Sequence, residues 1–139
     1  MWIKVYLSIV TLLLSQGVLF ASELVVTIAG VNNHNGRVFI AIYNEAEGFP
    51  QKGAEYMGLS VSPDISEVSF ESIPPGRYSI SVFHDENDDG VMNRNMFGVP
   101  VEGYGFSNNA RGVFGPPDFE QTAFFVDNGK NYISINIKY

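Results

Sequence analysis

Cysteine is absent from this sequence, which excludes both a disulfide framework and a lipid-modified N-terminal cysteine. The fold must therefore depend on packing, with a bound metal ion as the other source of stability. Basic residues are also few: 8 lysines and arginines stand against 15 aspartates and glutamates, for a net charge of −7. Such a chain repels phosphate backbones, and no basic patch interleaved with aromatic residues occurs. We therefore expect no nucleic-acid partner.

The first 21 residues have the organisation of a secretory signal peptide. Lys4 supplies the positive charge, residues 5–14 form the apolar segment, and Ala21 places a small residue at the expected cleavage point. A membrane anchor is the competing interpretation, but polar residues and glycine dilute the stretch, whereas a spanning helix needs roughly 20 predominantly apolar residues. We expect residues 1–21 to be cleaved. The mature protein would be periplasmic or secreted, with no stable membrane span.

Apolar and polar residues alternate in several short runs, the pattern of half-buried β-strands. The clearest run places Tyr78, Ile80 and Val82 on one face and serines on the other. Further runs lie near residues 24–28, 38–42, 56–61, 68–70, 122–127 and 133–137, with turn residues between them. Since no long amphipathic helix is present, we predict an all-β fold over residues 22–139. It would be a single antiparallel β-sandwich of about seven strands, immunoglobulin-like or prealbumin-like.

The segment 85–120 breaks this pattern, because its 36 residues include six glycines and three prolines and show no sustained alternation. Connections of that length are uncommon in compact domains and are usually functional or disordered. Five aromatic residues give this one apolar surface to pack, which argues against disorder. We predict one long ordered loop that folds over an end of the sandwich and carries any functional site.

The start of this segment fits the first half of a calcium-binding loop, D-x-[DN]-x-[DN]-G. Ca²⁺ prefers six to eight oxygen ligands. The side chains of Asp85, Asn87, Asp89 and Asn93 would supply the oxygens at positions 1, 3, 5 and 9. The carbonyl of Val91 would supply the oxygen at position 7.

Two departures exclude an EF-hand: Met96 stands at the twelfth position, and the preceding segment is a strand. The missing carboxylate would have to come from Glu102, Asp118 or Glu120, among which the sequence does not choose. An Asx-rich turn with solvated charges is the competing interpretation. Both interpretations stay open at this point.

A second cluster of candidate residues suits a polar ligand such as a sugar or a carboxylate. Its members are a histidine at a strand end and the aromatic, amide and guanidinium groups that follow: His84, Tyr104, Phe106, Asn108, Asn109 and Arg111. Competing structural roles are a hydrogen-bonded His84 and an Arg111 that pairs with the acidic residues of its own segment.

The sequence resembles two groups of sandwich domains. Residues 73–82, Ile-Pro-Pro-Gly-Arg-Tyr-Ser-Ile-Ser-Val, are similar to the PPG-x-Y hairpin of transthyretin-like and carboxypeptidase-regulatory-like domains. More specifically, the runs at 82–90, 97–100, 102–110 (EGYGFSNNA) and 114–117 resemble domain-of-unknown-function family 2141, a group of small exported bacterial proteins. The resemblance implies a periplasmic or secreted β-sandwich with no established activity. The family commonly has an acidic residue where this chain has Asn93, which implies a weaker ninth calcium ligand.

Three functional hypotheses remain. The favoured one is a non-enzymatic envelope module that binds a polar ligand or an envelope protein, with Ca²⁺ ordering the loop. The second is a metal-dependent hydrolase or lyase, which requires His84, Asp85 and Arg111 to converge on one cleft around a metal-bound water. No nucleophile elbow, phosphate-binding glycine loop or H-E-x-x-H motif supports an enzyme. The third is a purely structural domain.

Overall fold

A computed structural model describes residues 22–139 of the chain, so the predicted signal peptide lies outside the described residues. Eight strands are present: β1 (Glu23–Ala29), β2 (Arg37–Tyr43), β3 (Met57–Val61), β4 (Glu67–Glu71), β5 (Gly76–Asp85), β6 (Tyr104–Phe106), β7 (Phe124–Val126) and β8 (Lys130–Asn136). A 3₁₀ turn (Ser107–Asn109) follows β6, and the four-residue helix α1 (Phe119–Thr122) precedes β7. The prediction of an all-β fold is confirmed.

The strands form two sheets that pack as a β-sandwich. The smaller sheet has the order β4-β1-β8, and the larger has the order β3-β2-β5-β6, with β7 paired to the beginning of β5. Pairing is antiparallel, as predicted, except between β1 and β8, which run parallel from Glu23↔Lys130 to Ala29↔Asn136.

The core lies between the inner faces of the two sheets. Strand alternation places Val38, Ile40 and Ile42 of β2 inward, and all three are almost fully buried. The cluster also contains inward residues of the other strands, together with Ile73 and Ile137 from outside the strands: Leu24, Val26, Ile28, Val68, Phe70, Tyr78, Ile80, Val82, Val126 and Ile135. Fully burying an aliphatic side chain of this size contributes about 1.5–3 kcal/mol, which explains how the fold is stable without disulfides.

The segment 85–120 is not one loop, contrary to the sequence-based prediction, because it contains β6. Strand β6 pairs with β5 from Phe83↔Tyr104 to Ser81↔Phe106. It also approaches β8 so closely that a Cβ atom on Gly105 would lie 2.5 Å from the carbonyl oxygen of Asn136. Glycine is therefore required at the centre of a strand, where it normally weakens the strand signal.

A buried polar cluster joins β5 to the segment after β6. The Ser107 hydroxyl accepts a hydrogen bond from the Ile80 amide (2.9 Å) and donates one to the Thr122 carbonyl (2.5 Å). The Thr122 hydroxyl in turn lies 2.8 Å from the Ser79 hydroxyl. All three side chains are fully buried, so each depends on these partners for hydrogen bonding.

We expect Ser107→Ala to lower the free energy of unfolding by about 1–3 kcal/mol, because the substitution leaves the Ile80 amide buried without a partner. Urea denaturation followed by circular dichroism measures this change. Ser134→Ala is the matched control, since Ser134 is an exposed strand serine on β8. Equal stability of the two variants would contradict the structural role of Ser107.

Candidate functional site

The outer face of the larger sheet is covered with aromatic side chains. Alternation along β2 and β5 turns Phe39 and Phe83 outward, and their rings stack with centroids 5.0 Å apart and planes inclined by 11°. Tyr104 and Phe106 of β6 share this face because they pair with Phe83 and Ser81. Such a face would normally be covered by a second layer, since it is apolar on a sheet whose other face forms the core.

A depression of about 1190 Å³ lies over this face, and we call it the outer groove. The floor is formed by the outward residues of β2, β3, β5 and β6, and the sides by residues 50–55, 90–100 and 112–116. The volume slightly exceeds the roughly 300–1,000 Å³ typical of small-molecule sites. One end of the face is closed by Phe49, whose ring packs edge-on against Tyr43 at 5.0 Å.

Two loop tips at the sides of the groove expose phenylalanine rings. The first is a hairpin held by hydrogen bonds from the Asn95 amide to the Val99 carbonyl and from the Val101 amide to the Asn93 carbonyl, 2.9 Å each. It presents Phe97, which is 82% exposed, and the second tip presents Phe114 with its ring fully exposed. Both residues also line the outer groove, and exposed apolar surface gathered around one depression is typical of interaction sites.

The candidate ligand residues of the second cluster divide between two roles. Tyr104 and Phe106 line the outer groove, and the Arg111 guanidinium lies over the Tyr104 ring, 5.6 Å from its centroid. Arg111 forms no ion pair with a carboxylate of residues 22–139. Asn108 and Asn109 instead use their side chains on the backbone. Asn108 donates to the Gln121 and Ala123 carbonyls, and Asn109 accepts from the Asn136 amide.

His84 is fully buried on the inner face and does not reach the groove. One ring nitrogen, Nε2, lies 2.6 Å from the Asn35 carbonyl, and Nδ1 lies 2.6 Å from the Tyr139 hydroxyl. A carbonyl only accepts, so Nε2 carries the proton and Nδ1 accepts from Tyr139. Burial raises the pKa of the Tyr139 hydroxyl, which keeps it a donor.

The centre required by the hydrolase or lyase hypothesis is therefore not assembled in the described residues. His84 has both ring nitrogens engaged on the inner side of the sheet. Asp85 accepts hydrogen bonds from loop amides, and Arg111 stacks on an aromatic ring of the outer face. The three side chains therefore do not converge on one cleft, as that hypothesis requires.

The candidate calcium ligands come together in one turn, residues 85–93, which we call the acidic loop. The buried Asp85 carboxylate accepts from the Asp89 amide (3.2 Å) and the Gly90 amide (2.7 Å). Asp89 accepts from the Asn93 and Asn87 side-chain amides and from the Val91 amide, at 2.9, 3.1 and 3.0 Å. The donor from Asn93 contributes most to lowering the pKa of Asp89.

Of the three carboxylates proposed to complete a calcium site, Glu102 is the one that contacts the acidic loop. Its buried carboxylate accepts from the Glu86 amide and the Asn93 amide, both at 3.1 Å. Asp118 caps α1, and Glu120 pairs with Arg77. Within residues 22–139, no three histidine, aspartate or glutamate side chains converge as a metal-binding group. One buried oxygen of the loop, Asn93 Oδ1, has no hydrogen-bond partner.

Comparison with known proteins identifies the family. Residues 26–134 match the family described as "Uncharacterized protein conserved in bacteria (DUF2141)". The chain belongs to the DUF2141 family. No curated protein matches this sequence.

One solved structure similar to this DUF2141 protein is "Pilus-presented adhesin, Spy0125 (Cpa)", at 12% identity and a TM-score of 0.29. The similarity covers 86% of this chain and 26% of the adhesin chain, so this protein spans about a quarter of that structure. In the described part of the DUF2141 chain, no helix is long and apolar enough to cross a membrane.

Sequence analysis missed the aromatic floor and sides of the groove in this DUF2141 protein. The candidate site residues from the sequence do not include Phe39 and Phe83, although both occupy positions that alternate with the buried residues of their strands. Their outward position was a usable signal, because an aromatic residue opposite a buried face is unusual on a solvated sheet. Phe97 and Phe114 gave no signal, since their exposure depends on the conformation of two loops.

The pKa of Asp89 reports on the hydrogen bonds of the acidic loop in this DUF2141 protein, because those bonds lower it. We expect Asn93→Ala to raise the pKa of Asp89 towards its ordinary value, because the substitution removes the strongest donor to the charged carboxylate. In the wild type, the stabilisation from Asp89 is fully present above the unfolded-state pKa and is lost as the pH falls through the lower folded-state pKa.

NMR titration of the side-chain carboxyl carbon measures the pKa of Asp89 in the wild type and in Asn93→Ala. Asn44→Ala, an exposed asparagine outside the loop, is the control. An Asp89 pKa unchanged by Asn93→Ala would contradict the hydrogen-bonded loop.

Proposed function

We propose that this protein is an exported, non-enzymatic binding module whose outer groove takes up a ligand with a substantial apolar part. The observation that carries the proposal is the unlidded aromatic floor between two loops that expose Phe97 and Phe114. Burying such surface against a ligand is favourable by about 25 cal/mol per Å² of apolar area. Export rests on the signal peptide predicted for residues 1–21 and would place the groove in the periplasm or outside the cell.

This proposal changes the expected chemistry of the ligand from polar to largely apolar. The polar-ligand interpretation combined aromatic rings, the amides of Asn108 and Asn109 and the guanidinium of Arg111, and both amides hydrogen-bond to the backbone. The side chains left to a ligand are the rings of the floor and the loop tips, with basic groups at the edges. Pockets for small molecules typically combine such apolar walls with a few polar groups.

We expect the full-length protein, expressed and exported by a bacterial host, to bind the neutral fluorophore N-phenyl-1-naphthylamine with an increase in its fluorescence. The double substitution Phe97→Ala/Phe114→Ala should weaken this binding about tenfold, or about 1.4 kcal/mol, because two apolar side walls are lost. Both side chains are exposed, so the variant should fold normally.

Phe125→Ala is the matched control, because Phe125 is 73% exposed and lies on β7, away from the groove. It should bind the fluorophore like the wild type. Absence of binding, or the same weakening in Phe125→Ala as in the double variant, would argue for a purely structural domain or a site elsewhere.

We also propose that the acidic loop binds Ca²⁺, an ion that the protein would meet outside the cytoplasm. Two observations support it: the side chains of Asp85, Asn87, Asp89 and Asn93 surround one turn, and Asn93 Oδ1 is buried without a partner. Positive φ angles at Asp88 (56°) and Gly90 (79°) produce the sharp turn that such loops need. Asn87 and Asn93 donate their side-chain NH₂ groups to Asp89 in this structure, so ion binding requires both amides to rotate and present oxygen. Asn93 Oδ1 has no hydrogen bond to lose in that rotation.

We expect 1 mM CaCl₂ to raise the melting temperature of the protein, since a ligand at about 100 times its dissociation constant stabilises the folded state by about 2.7 kcal/mol. Asp89→Ala should abolish the rise, and Asp127→Ala, at an exposed turn aspartate, should retain it. Differential scanning calorimetry with and without EDTA provides the measurement. A melting temperature that does not respond to millimolar Ca²⁺ would leave the acidic loop as a hydrogen-bonded turn only.

A further inference from the structure

The basic residues of this acidic protein are concentrated on one face. Lys4 lies outside the described residues, which leaves seven lysines and arginines in residues 22–139. Four of them surround or share the face of the outer groove: Lys52 and Arg94 line it, Arg111 lies over Tyr104, and Arg37 extends from β2 on the same face as Phe39. Two of the others are ion-paired elsewhere, Arg77 with Glu120 and Lys130 with Glu23.

The four groove cations are held by neutral partners. The Lys52 ammonium donates to the Gly90 carbonyl (3.3 Å), and the Arg94 guanidinium donates to the Gly98 carbonyl (3.0 Å). Arg37 donates to the Ser60 hydroxyl (2.6 Å), and Arg111 stacks on Tyr104. No carboxylate of residues 22–139 lies within ion-pairing distance of any of these four groups. Their charges are therefore positioned but not neutralised within this part of the chain.

The one acidic residue that lines the groove is Glu55, and its carboxylate accepts a hydrogen bond from the Gly53 amide (2.5 Å). The chain has 15 acidic residues, so a lining with two cations and one carboxylate departs from the overall composition. An excess of one charge around an apolar depression raises the local concentration of ligands with the opposite charge. The acidic loop also borders the groove through Gly90, Val91 and Met92, but none of its carboxylates lines it, so the lining itself combines an apolar floor with a small excess of positive charge.

Measured across its strands, the floor matches the length of a medium-length aliphatic chain in its extended form. It crosses four strands, and three inter-strand spacings of about 4.8 Å give roughly 14 Å. An extended chain advances about 1.2 Å per bond, so about twelve bonds cross the floor. An aliphatic tail of about twelve carbons is therefore long enough to cover the aromatic floor from one edge to the other.

We propose that the ligand of the outer groove is a long-chain carboxylate, with its tail on the Phe39–Phe83 floor and its anionic head at Lys52 and Arg94. This inference rests on the proposed binding function and adds the charge and shape of the ligand. Lys52 and Arg94 position the head group from two different loops, residues 50–55 and 90–100. Since both cations are exposed to solvent, their attraction for the head group is expected to weaken as salt is added.

The test compares amphiphiles of equal tail length by their displacement of N-phenyl-1-naphthylamine, below their critical micelle concentrations. We expect dodecanoate to displace the fluorophore at a concentration about tenfold lower than dodecyltrimethylammonium, a ratio that charge attraction of this type produces at low salt. The preference should shrink in 1 M NaCl. In Lys52→Gln/Arg94→Gln, the preference should fall to about twofold or less. Because the preference is a ratio between two amphiphiles in the same variant, it does not depend on how tightly that variant binds the fluorophore.

Arg77→Gln/Lys130→Gln is the matched control, since it removes the same two charges from positions away from the groove. It should keep the preference for dodecanoate. Fluorophore binding with no preference between the two amphiphiles, or a preference lost equally in the control, would overturn the carboxylate inference while the binding function stands. Failure of the wild type to bind the fluorophore would overturn the binding function itself. A dimer in sedimentation analysis that excludes the fluorophore would identify a second copy of the chain as the occupant and would also overturn the inference.

Discussion

The pairing of β6 with β5 is the constraint on which both candidate sites depend. This strand of three residues turns Tyr104 and Phe106 onto the outer face, and its centre passes against β8 with room only for glycine. The residues before it are thereby fixed as well, because Glu102 lies two positions upstream and holds the acidic loop through the Glu86 and Asn93 amides. The residue after it, Ser107, satisfies the Ile80 amide within the sheet. A single short pairing thus connects the core, the groove and the loop.

The distribution of charge is a second organising feature. The carboxylates of Asp85, Asp89 and Glu102 are satisfied by amide donors, five of which come from the backbone of residues 86–93. Hydrogen bonds to the charged form of a carboxylate stabilise it without a countercharge. Lys52 contacts this loop through the Gly90 carbonyl, but none of the four cations around the groove pairs with a carboxylate of residues 22–139. The same chain can hold clustered negative charge in one place and uncompensated positive charge in another.

Much of the fold was predictable from the sequence, and the reason is periodicity. The alternation around Tyr78, Ile80 and Val82 and the runs in β1, β2 and β8 follow directly from the two-residue repeat of a half-buried strand. β6 was not predictable in this way, because three residues with a central glycine contain no repeat. The parallel pairing of β1 with β8 was also beyond local pattern, since it joins the two ends of the domain.

The candidate site was predictable only in part. The motif D-x-[DN]-x-[DN]-G correctly placed Asp85, Asn87, Asp89 and Asn93 in one turn, since it is a local feature. The roles of His84, Asn108 and Asn109 depend on partners more than 10 residues away in the sequence, which local pattern does not reveal. The groove is also non-local, because its floor and sides come from strands and loops distant in the chain.

If the outer groove binds a ligand as we propose, the parts that fold the protein are separate from the parts that would distinguish one ligand from another. Its floor belongs to paired strands whose other face is the core, so substitutions there affect stability. Its sides are loop tips whose phenylalanines contact solvent and contribute little to the fold. Under this proposal, sequence change at residues 94–100 and 112–116 would alter selectivity at small cost in stability. Members of the family would then be able to diverge in ligand preference while keeping one scaffold, as antibody domains do with their variable loops.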